Sequence, residues 1–291
     1  MLKRGIAVVA ALLGILSAAP SAPQAADNAV AWAKTWEDAK MEAVERNVPI
    51  FFTIQQDENP GSKQMEGAFR DGSFIAQSRR VVCVVANPDT KHGVREVMVN
   101  RQKVAFCRAY DGMTCETHTR CQSAMENFFK SGDFDIPSQV WCKPDGTELF
   151  KVTRFQGAPQ SSAELLKDME RALDRVSGPK MNRKEWEDVK KLLRDADEAQ
   201  GNSQYKIALQ CYKKAMECKS EKFAKQAKER NENFIQSITN LVSRAIKQWE
   251  KSAKDSKEQK EAKTVLQKIA KEMKGTEAGD AADHALKNVV K

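Results

Sequence analysis

Two short apolar segments constrain the fold of this chain more than any other feature of its sequence. Residues 48–54 read Val-Pro-Ile-Phe-Phe-Thr-Ile, and residues 81–86 read Val-Val-Cys-Val-Val-Ala. A strand with one face in water alternates between apolar and polar residues, whereas a strand that is covered on both faces is apolar at consecutive positions. We therefore expect a central sheet with helices packed on each side.

The flanking sequence predicts an antiparallel edge and further helices. The turn Pro144-Asp-Gly146 separates apolar runs at residues 137–142 and 147–153, which is typical of a hairpin. Residues 29–46 carry apolar side chains at helical spacing, and residues 161–176 do so after a capping box of Ser161 and Glu164. The predicted order is helix, strand, helix, strand, helix, hairpin and helix.

This order resembles the thioredoxin-like family, in particular secreted members that open with a helix. Three local motifs carry the resemblance: residues 48–53 followed by Ser62-Lys-Gln-Met-Glu66, the step Ile136-Pro137-Ser138, and residues 141–149, which read Trp-Cys-Lys-Pro-Asp-Gly-Thr-Glu-Leu. The second is similar to the family's cis-proline loop. The resemblance covers residues 29–176 and implies an α/β thioredoxin-like sandwich, with a central mixed sheet and flanking helices, over residues 27–177.

The sequence departs from this family at the dithiol. Redox-active members carry Cys-x-x-Cys at the start of a helix, because the helix N-terminus lowers the pKa of the first thiol. Here the corresponding residues are Asn59, Pro60, Gly61 and Ser62, and no cysteine occurs between residues 29 and 82. The resemblance therefore implies a degenerate active-site loop, with Pro137 beside it, that cannot exchange disulfides.

Cysteine and histidine are concentrated instead in a predicted insertion at about residues 87–121. Residues 94–107 predict a hairpin that turns at residues 100–103. Cys107, Cys115, His118 and Cys121 then lie within fifteen residues. Thiolates and imidazoles at such short spacings are ligands of tetrahedral zinc sites.

Two other interpretations of these cysteines stay open. In an exported protein a disulfide is favoured over a metal site. It would join Cys107 to Cys115, or Cys115 to Cys121 in a loop, because on one helix the second pair would lie about 9 Å apart along the axis. The third interpretation is a relocated redox pair.

The first 26 residues resemble a signal peptide. Lys3 and Arg4 precede an apolar run of about fifteen residues, whereas a membrane-spanning helix needs about twenty. Small residues then predict cleavage near Ala25 or Ala26, and an uncleaved anchor stays open. No later segment is apolar enough to span a membrane. We therefore expect a periplasmic or secreted protein with an oxidising environment.

The chain changes character at Ser177-Gly-Pro179. Residues 178–291 carry helical periodicity with almost no strand signal. The spacing of Tyr205, Ala208, Tyr212 and Ala215 resembles the second helix of a tetratricopeptide repeat, an architecture that binds other proteins. Because only one such unit is clear, it must pack on later helices or on the first domain. We expect an all-α domain of helical hairpins that binds another protein.

The charge divides at the same boundary. The formal charge of the chain is +8, to which residues 27–177 contribute −2 and residues 178–291 contribute 26 basic against 18 acidic side chains. Most of these basic side chains are lysines interspersed with glutamates, and the aromatic residues lie on the predicted core stripes. This pattern argues against nucleic acid as a partner and leaves an anionic surface as an alternative.

The sequence alone therefore predicts an exported, redox-inactive thioredoxin-like protein that serves as a protein-interaction or scaffold module rather than an enzyme. This function requires no cofactor. The alternative is a thiol–disulfide oxidoreductase or metal-binding protein that uses the cluster at residues 107–121, with zinc as the expected metal.

Overall fold

The computed structural model describes residues 29–89, 93–99, 101–110, 112–129, 136–153 and 160–290. The predicted signal peptide lies outside the described residues. No helix in the described part of the chain is long and apolar enough to cross a membrane.

The described residues form mixed α/β structure up to residue 177 and helices beyond it. The strands are β1 (Ile50–Ile54), β2 (Val82–Ala86), β3 (Val94–Val99), β4 (Gln102–Cys107), β5 (Ser138–Cys142) and β6 (Glu148–Thr153). The helices are α1 (Trp36–Arg46), α2 (Pro60–Phe69), α3 (Gly72–Ser78), α4 (Cys115–Arg120), α5 (Ser162–Asp174), α6 (Arg183–Gly201), α7 (Tyr205–Met216), α8 (Glu221–Lys251), α9 (Lys257–Glu272) and α10 (Glu277–Asn288). A 3-10 helix at Cys121–Asn127 follows α4 directly.

Four strands form a mixed sheet in the order β2-β1-β5-β6. β1 and β2 are parallel, whereas β1 with β5 and β5 with β6 are antiparallel. Every residue of β1, β2 and β5 is buried. The expectation of strands covered on both faces is confirmed, because alternate residues of each strand must then face apolar layers on opposite sides.

Helices cover the two faces of this sheet. On one face, Phe51 and Trp141 pack in a core with residues of α2, α3 and α5. On the other face, Phe52 and Val84 pack with residues of α1 and the 3-10 helix. The sheet therefore separates two apolar cores. A side chain on one face of the sheet cannot contact side chains on the other face.

The first helix is shorter than the sequence predicts. α1 begins at Trp36, where the Thr35 side chain accepts a hydrogen bond from the Asp38 amide. The residues before it lie along β2, since the Ala33 amide donates to the Cys83 carbonyl at 2.8 Å. The predicted helix was wrong for residues 29–35, because pairing with the edge of β2 satisfies this backbone instead.

The predicted insertion contains a separate two-stranded sheet. β3 and β4 pair in antiparallel register, with Val94 opposite Cys107. The hairpin prediction is confirmed, although β4 begins at Gln102, within the predicted turn. The ribbon ends at Cys107 and leads through a short loop to α4.

Helices α6 to α10 pack successively and share one apolar core. Ala208 and Ala215 are fully buried, and the Tyr212 ring lies 5.9 Å from the Phe234 ring. Small residues thus let α7 approach its neighbours, while aromatic rings fill the space between helices. The described part of residues 178–291 is all-α, as expected.

A buried arginine joins this helical region to the sheet region. The fully buried Arg46 donates hydrogen bonds to the carbonyls of Arg79 and Val81 and to that of Met181, which precedes α6. It also pairs with Glu42, one turn earlier on α1. Burial lowers the pKa of Arg46, and the charge of Glu42 opposes that shift. The two regions therefore meet at a desolvated, hydrogen-bonded cation.

Candidate metal centre

Cys107, Cys115 and His118 come together within the predicted insertion. One ligand atom from each lies within 4.8 Å of the other two. Cys107 and His118 are buried, whereas Cys115 is half-buried. Two thiols and an imidazole in this arrangement are a donor set for a soft or borderline metal ion.

The loop between β4 and α4 sets the position of the two cysteines. The Cys107 amide donates to the Met113 carbonyl at 2.7 Å, which closes this loop on itself. Gly112 adopts a φ of 77°, a left-handed conformation that favours glycine. The Thr114 side chain then caps α4, so Cys115 is its first residue.

Helix α4 places His118 beside Cys115. Residues three apart on a helix lie on the same face. The His118 Nδ1 lies 2.8 Å from the Asn87 carbonyl oxygen. A carbonyl can only accept, so Nδ1–H donates and Nε2 carries the lone pair. Metal-bound histidines commonly have their second nitrogen fixed in this way.

Two backbone amides lie beside the sulfur of Cys107. The amides of Ala109 and Tyr110 both donate to it, which favours the thiolate, but burial outweighs them and raises the pKa of Cys107 to about 12. The metal-free site therefore holds a neutral thiol at neutral pH. A bound cation would favour the thiolate, because metal binding displaces the proton.

Asn87 connects the cluster to the edge of the main sheet. It follows β2 directly, and its Nδ2 donates to Asp57 Oδ1 and to the Tyr110 hydroxyl at 2.9 Å each. Asp57 lies in the loop between β1 and α2. The cluster therefore lies beside the carboxyl ends of the two parallel strands, where ligand sites of α/β proteins commonly form.

Cys121 does not join the cluster. It packs in the core on the opposite face of the sheet, with its sulfur 3.8 Å from the Lys34 carbonyl oxygen. Helix α4 separates it from Cys115 by six residues, or about 9 Å along the axis. The expectation of four clustered ligands was therefore wrong, and so was a Cys115–Cys121 pairing. No disulfide joins any of the seven cysteines, all of which lie in the described part of the chain.

The residues Asn59–Ser62 form the capped N-terminus of α2. Asn59 caps α2 by accepting from the Ser62 amide at 3.1 Å, and Pro60 is the first helical residue. The Ile136–Pro137 peptide bond is cis. A Cβ on Gly61 would lie 2.6 Å from Pro137 Cδ, so glycine permits close packing of these two segments. Asn59, Gly61, Ser62 and Pro137 thus meet at one place without a thiol among them.

Sequence reasoning missed Asn87 and Tyr110, which orient the cluster. Asn87 accepts from His118 through its carbonyl, and Tyr110 places its ring 5.3 Å from the His118 ring. One signal pointed to Asn87, since it is the first polar residue after the apolar run at residues 81–86. Tyr110 carried no comparable signal.

Comparison of the chain with models of known families and with curated proteins finds no match in either case.

Proposed function

We propose that this protein binds a divalent, thiophilic metal ion, with zinc as the reference ion, through Cys107, Cys115 and His118. The single observation that carries the proposal is the placement of a buried, oriented imidazole with its ring within reach of two thiols. A disulfide between the two cysteines would need no such histidine. In a metal site, two thiolates balance the charge of a divalent cation, which favours its burial.

The proposal places this centre in a thioredoxin-like core. Its support is the strand order β2-β1-β5-β6, with only β1 and β2 parallel, and helices on both faces. The cis bond at Pro137, directly before β5, and its packing against Gly61 at the start of α2 also support it. In this proposal the metal centre lies beside the loop where redox-active relatives carry their dithiol.

We also propose that the protein is periplasmic or secreted, on the strength of the signal-like residues 1–26. In such a compartment, thiols tend to oxidise unless they are protected. Metal coordination would protect Cys107 and Cys115, because it engages the sulfur lone pairs that would otherwise react with an oxidant.

The test is a zinc titration of the reduced, metal-free full chain, with bound metal measured by elemental analysis. We expect one zinc per chain, and loss of this binding in Cys115→Ser. Cys121→Ser is the matched control, because Cys121 is six residues away on the opposite face of the sheet and should leave zinc binding unchanged.

Two results would contradict the proposal. One is wild-type protein that binds no zinc after reduction, with a Cys107–Cys115 disulfide found by peptide mapping of the protein as purified. The other is equal zinc binding by Cys115→Ser and the wild type. The first result would leave the disulfide as the role of these cysteines.

A second function, compatible with the first, is protein interaction through α6 to α10. It is favoured by the successive packing of these helices, as in helical-repeat scaffolds, and by the absence of thiols from Asn59–Ser62.

We also propose that the protein is redox-inactive, so the wild type should not accelerate the reduction of insulin by dithiothreitol. Acceleration that disappears in Cys115→Ser would instead favour an oxidoreductase.

A further inference from the structure

We infer that the metal bound at Cys107, Cys115 and His118 keeps one coordination position for a thiolate from outside the chain. This inference rests on the metal site proposed above. It makes the centre a place of metal exchange rather than a closed structural site.

The cluster supplies three ligands, one fewer than a closed zinc site needs. Among the described residues, only these three side chains form a group that could hold a metal ion. Zinc at structural sites takes four ligands, whereas three protein ligands leave a position for an outside molecule. Cys121 cannot supply the fourth ligand, because it lies in the core on the other face of the sheet.

The exposure of the ligands shows where that position can be reached. Cys107 is 2% exposed and His118 is fully buried, so solvent does not reach the centre past either. Cys115 is half-buried, at the first residue of α4. An outside ligand can therefore approach only from the side of Cys115, among the three ligand side chains.

The surroundings favour a soft ligand over water. A metal-bound water is normally oriented and activated by a nearby hydrogen-bonding group, often a carboxylate. Among the described residues no carboxylate belongs to the cluster, and Asp57 accepts from the Asn87 side chain. Tyr110 and Met113, which lie in the loop between β4 and α4, are buried in the apolar core. A thiolate, unlike a metal-bound water, needs no neighbouring base to activate it, and it matches the softness of the site.

Exchange then follows without any redox change. An incoming thiol would first fill the open position as a thiolate and release its proton to solvent, which gives three thiolate ligands. The bond from the metal to Cys115 would then break, and the Cys115 sulfur would take up a proton, which returns the number of thiolate ligands to two. Cys115 is the ligand that can leave, because it is the one in contact with solvent. Cys107 and His118 stay fixed by the amides of Ala109 and Tyr110 and by the Asn87 carbonyl.

The experiment uses the full chain loaded with Co²⁺, whose absorption reports coordination number and the number of thiolate ligands. We expect titration with 2-mercaptoethanol to raise the sulfur-to-cobalt charge-transfer absorption saturably, by about half, as two thiolates become three. The cobalt should remain with the protein on gel filtration. Cys121→Ser should respond as the wild type does.

Three outcomes separate the possible failures. Bound cobalt whose spectrum does not change with thiol would overturn the open position but leave the metal site intact. No cobalt binding at all would overturn the proposed function itself. His92 and Asp111 lie outside the described residues, so His92→Ala and Asp111→Asn are included; a changed spectrum in either, without added thiol, would show that the chain supplies the fourth ligand and would overturn the inference.

Discussion

Two places beside the carboxyl ends of β1 and β2 differ in the reactive groups that they carry. The loop at Asn59–Ser62 has a capped helix start and a cis-proline neighbour but no reactive group. The candidate metal centre has two thiols and an imidazole, carried by β4 and α4. A hydrogen bond from Asn87 to Asp57 joins the two places. Their difference shows that the sheet edge fixes where a site can form, whereas the loops decide its chemistry.

The two places are also held by different forces. The Asn59–Ser62 loop is held by steric fit, since Pro137 leaves no room for a Cβ on Gly61. Hydrogen bonds to the ligands hold the second, through the Asn87 carbonyl and the amides after Cys107. Substitutions in the Asn59–Ser62 loop should therefore change the stability of the protein, whereas substitutions at the candidate metal centre should change its affinity for metal.

The largest expected effect is loss of metal on replacing His118. His118→Gln should weaken zinc binding by more than about 100-fold, because removing even an outer partner of a ligand costs 10–100-fold. His118→Cys should restore binding by supplying a thiolate. His284→Gln, on α10, is the control and should match the wild type in a competitive chelator titration. Equal loss in His118→Cys and His118→Gln would mean that the imidazole has a packing role instead.

The next expected effect is a gain of activity at the Asn59–Ser62 loop. Asn59→Cys with Ser62→Cys introduces a dithiol at the start of α2, where the helix N-terminus lowers a thiol pKa. The double variant should accelerate insulin reduction by dithiothreitol, and neither single variant should. An inactive double variant that still binds one zinc per chain would contradict this prediction, because a dithiol at this loop would then not be sufficient for activity.

A smaller effect is expected from the packing of Gly61. Gly61→Ala should lower the free energy of unfolding by about 1–3 kcal/mol, as overpacking does, since its Cβ would meet the proline ring at 2.6 Å. Gly67→Ala, on the open side of α2, should instead raise it by about 0.5–1 kcal/mol. Urea unfolding measures both. Zinc affinity should not change in either variant, and a change would mean that the two places are coupled.

The smallest effect concerns pH. Burial raises the pKa of Cys107 to about 12, so at neutral pH zinc must displace a proton from this thiol. Lower pH supplies more protons, and zinc affinity should fall by at least about tenfold per pH unit on going from pH 8 to pH 7. Competitive titrations at the two pH values measure this slope. A flat profile would contradict thiolate ligation by Cys107.

Much of the fold could be predicted from local sequence, because consecutive apolar residues and helical spacing report burial directly. This predicted β1, β2 and the helical half, and the Pro144-Asp-Gly146 turn predicted the β5–β6 hairpin. It failed at residues 29–35, where pairing with β2 overrides helical periodicity. Spacing also suggested four ligands, but it does not report the face of the sheet on which each lies, and this separates Cys121 from the rest.

Arg46 has a consequence for how the two regions can move. Its guanidinium holds carbonyls on both sides of the boundary, at Arg79, Val81 and Met181, with no exposure of its side chain to water. Separating the helices from the sheet would leave the buried charge of Arg46, and the carbonyls that accept from it, without hydrogen-bond partners. The boundary at residues 177–182 is therefore not a hinge, and opening it belongs to unfolding rather than to the thermal fluctuations of the native protein.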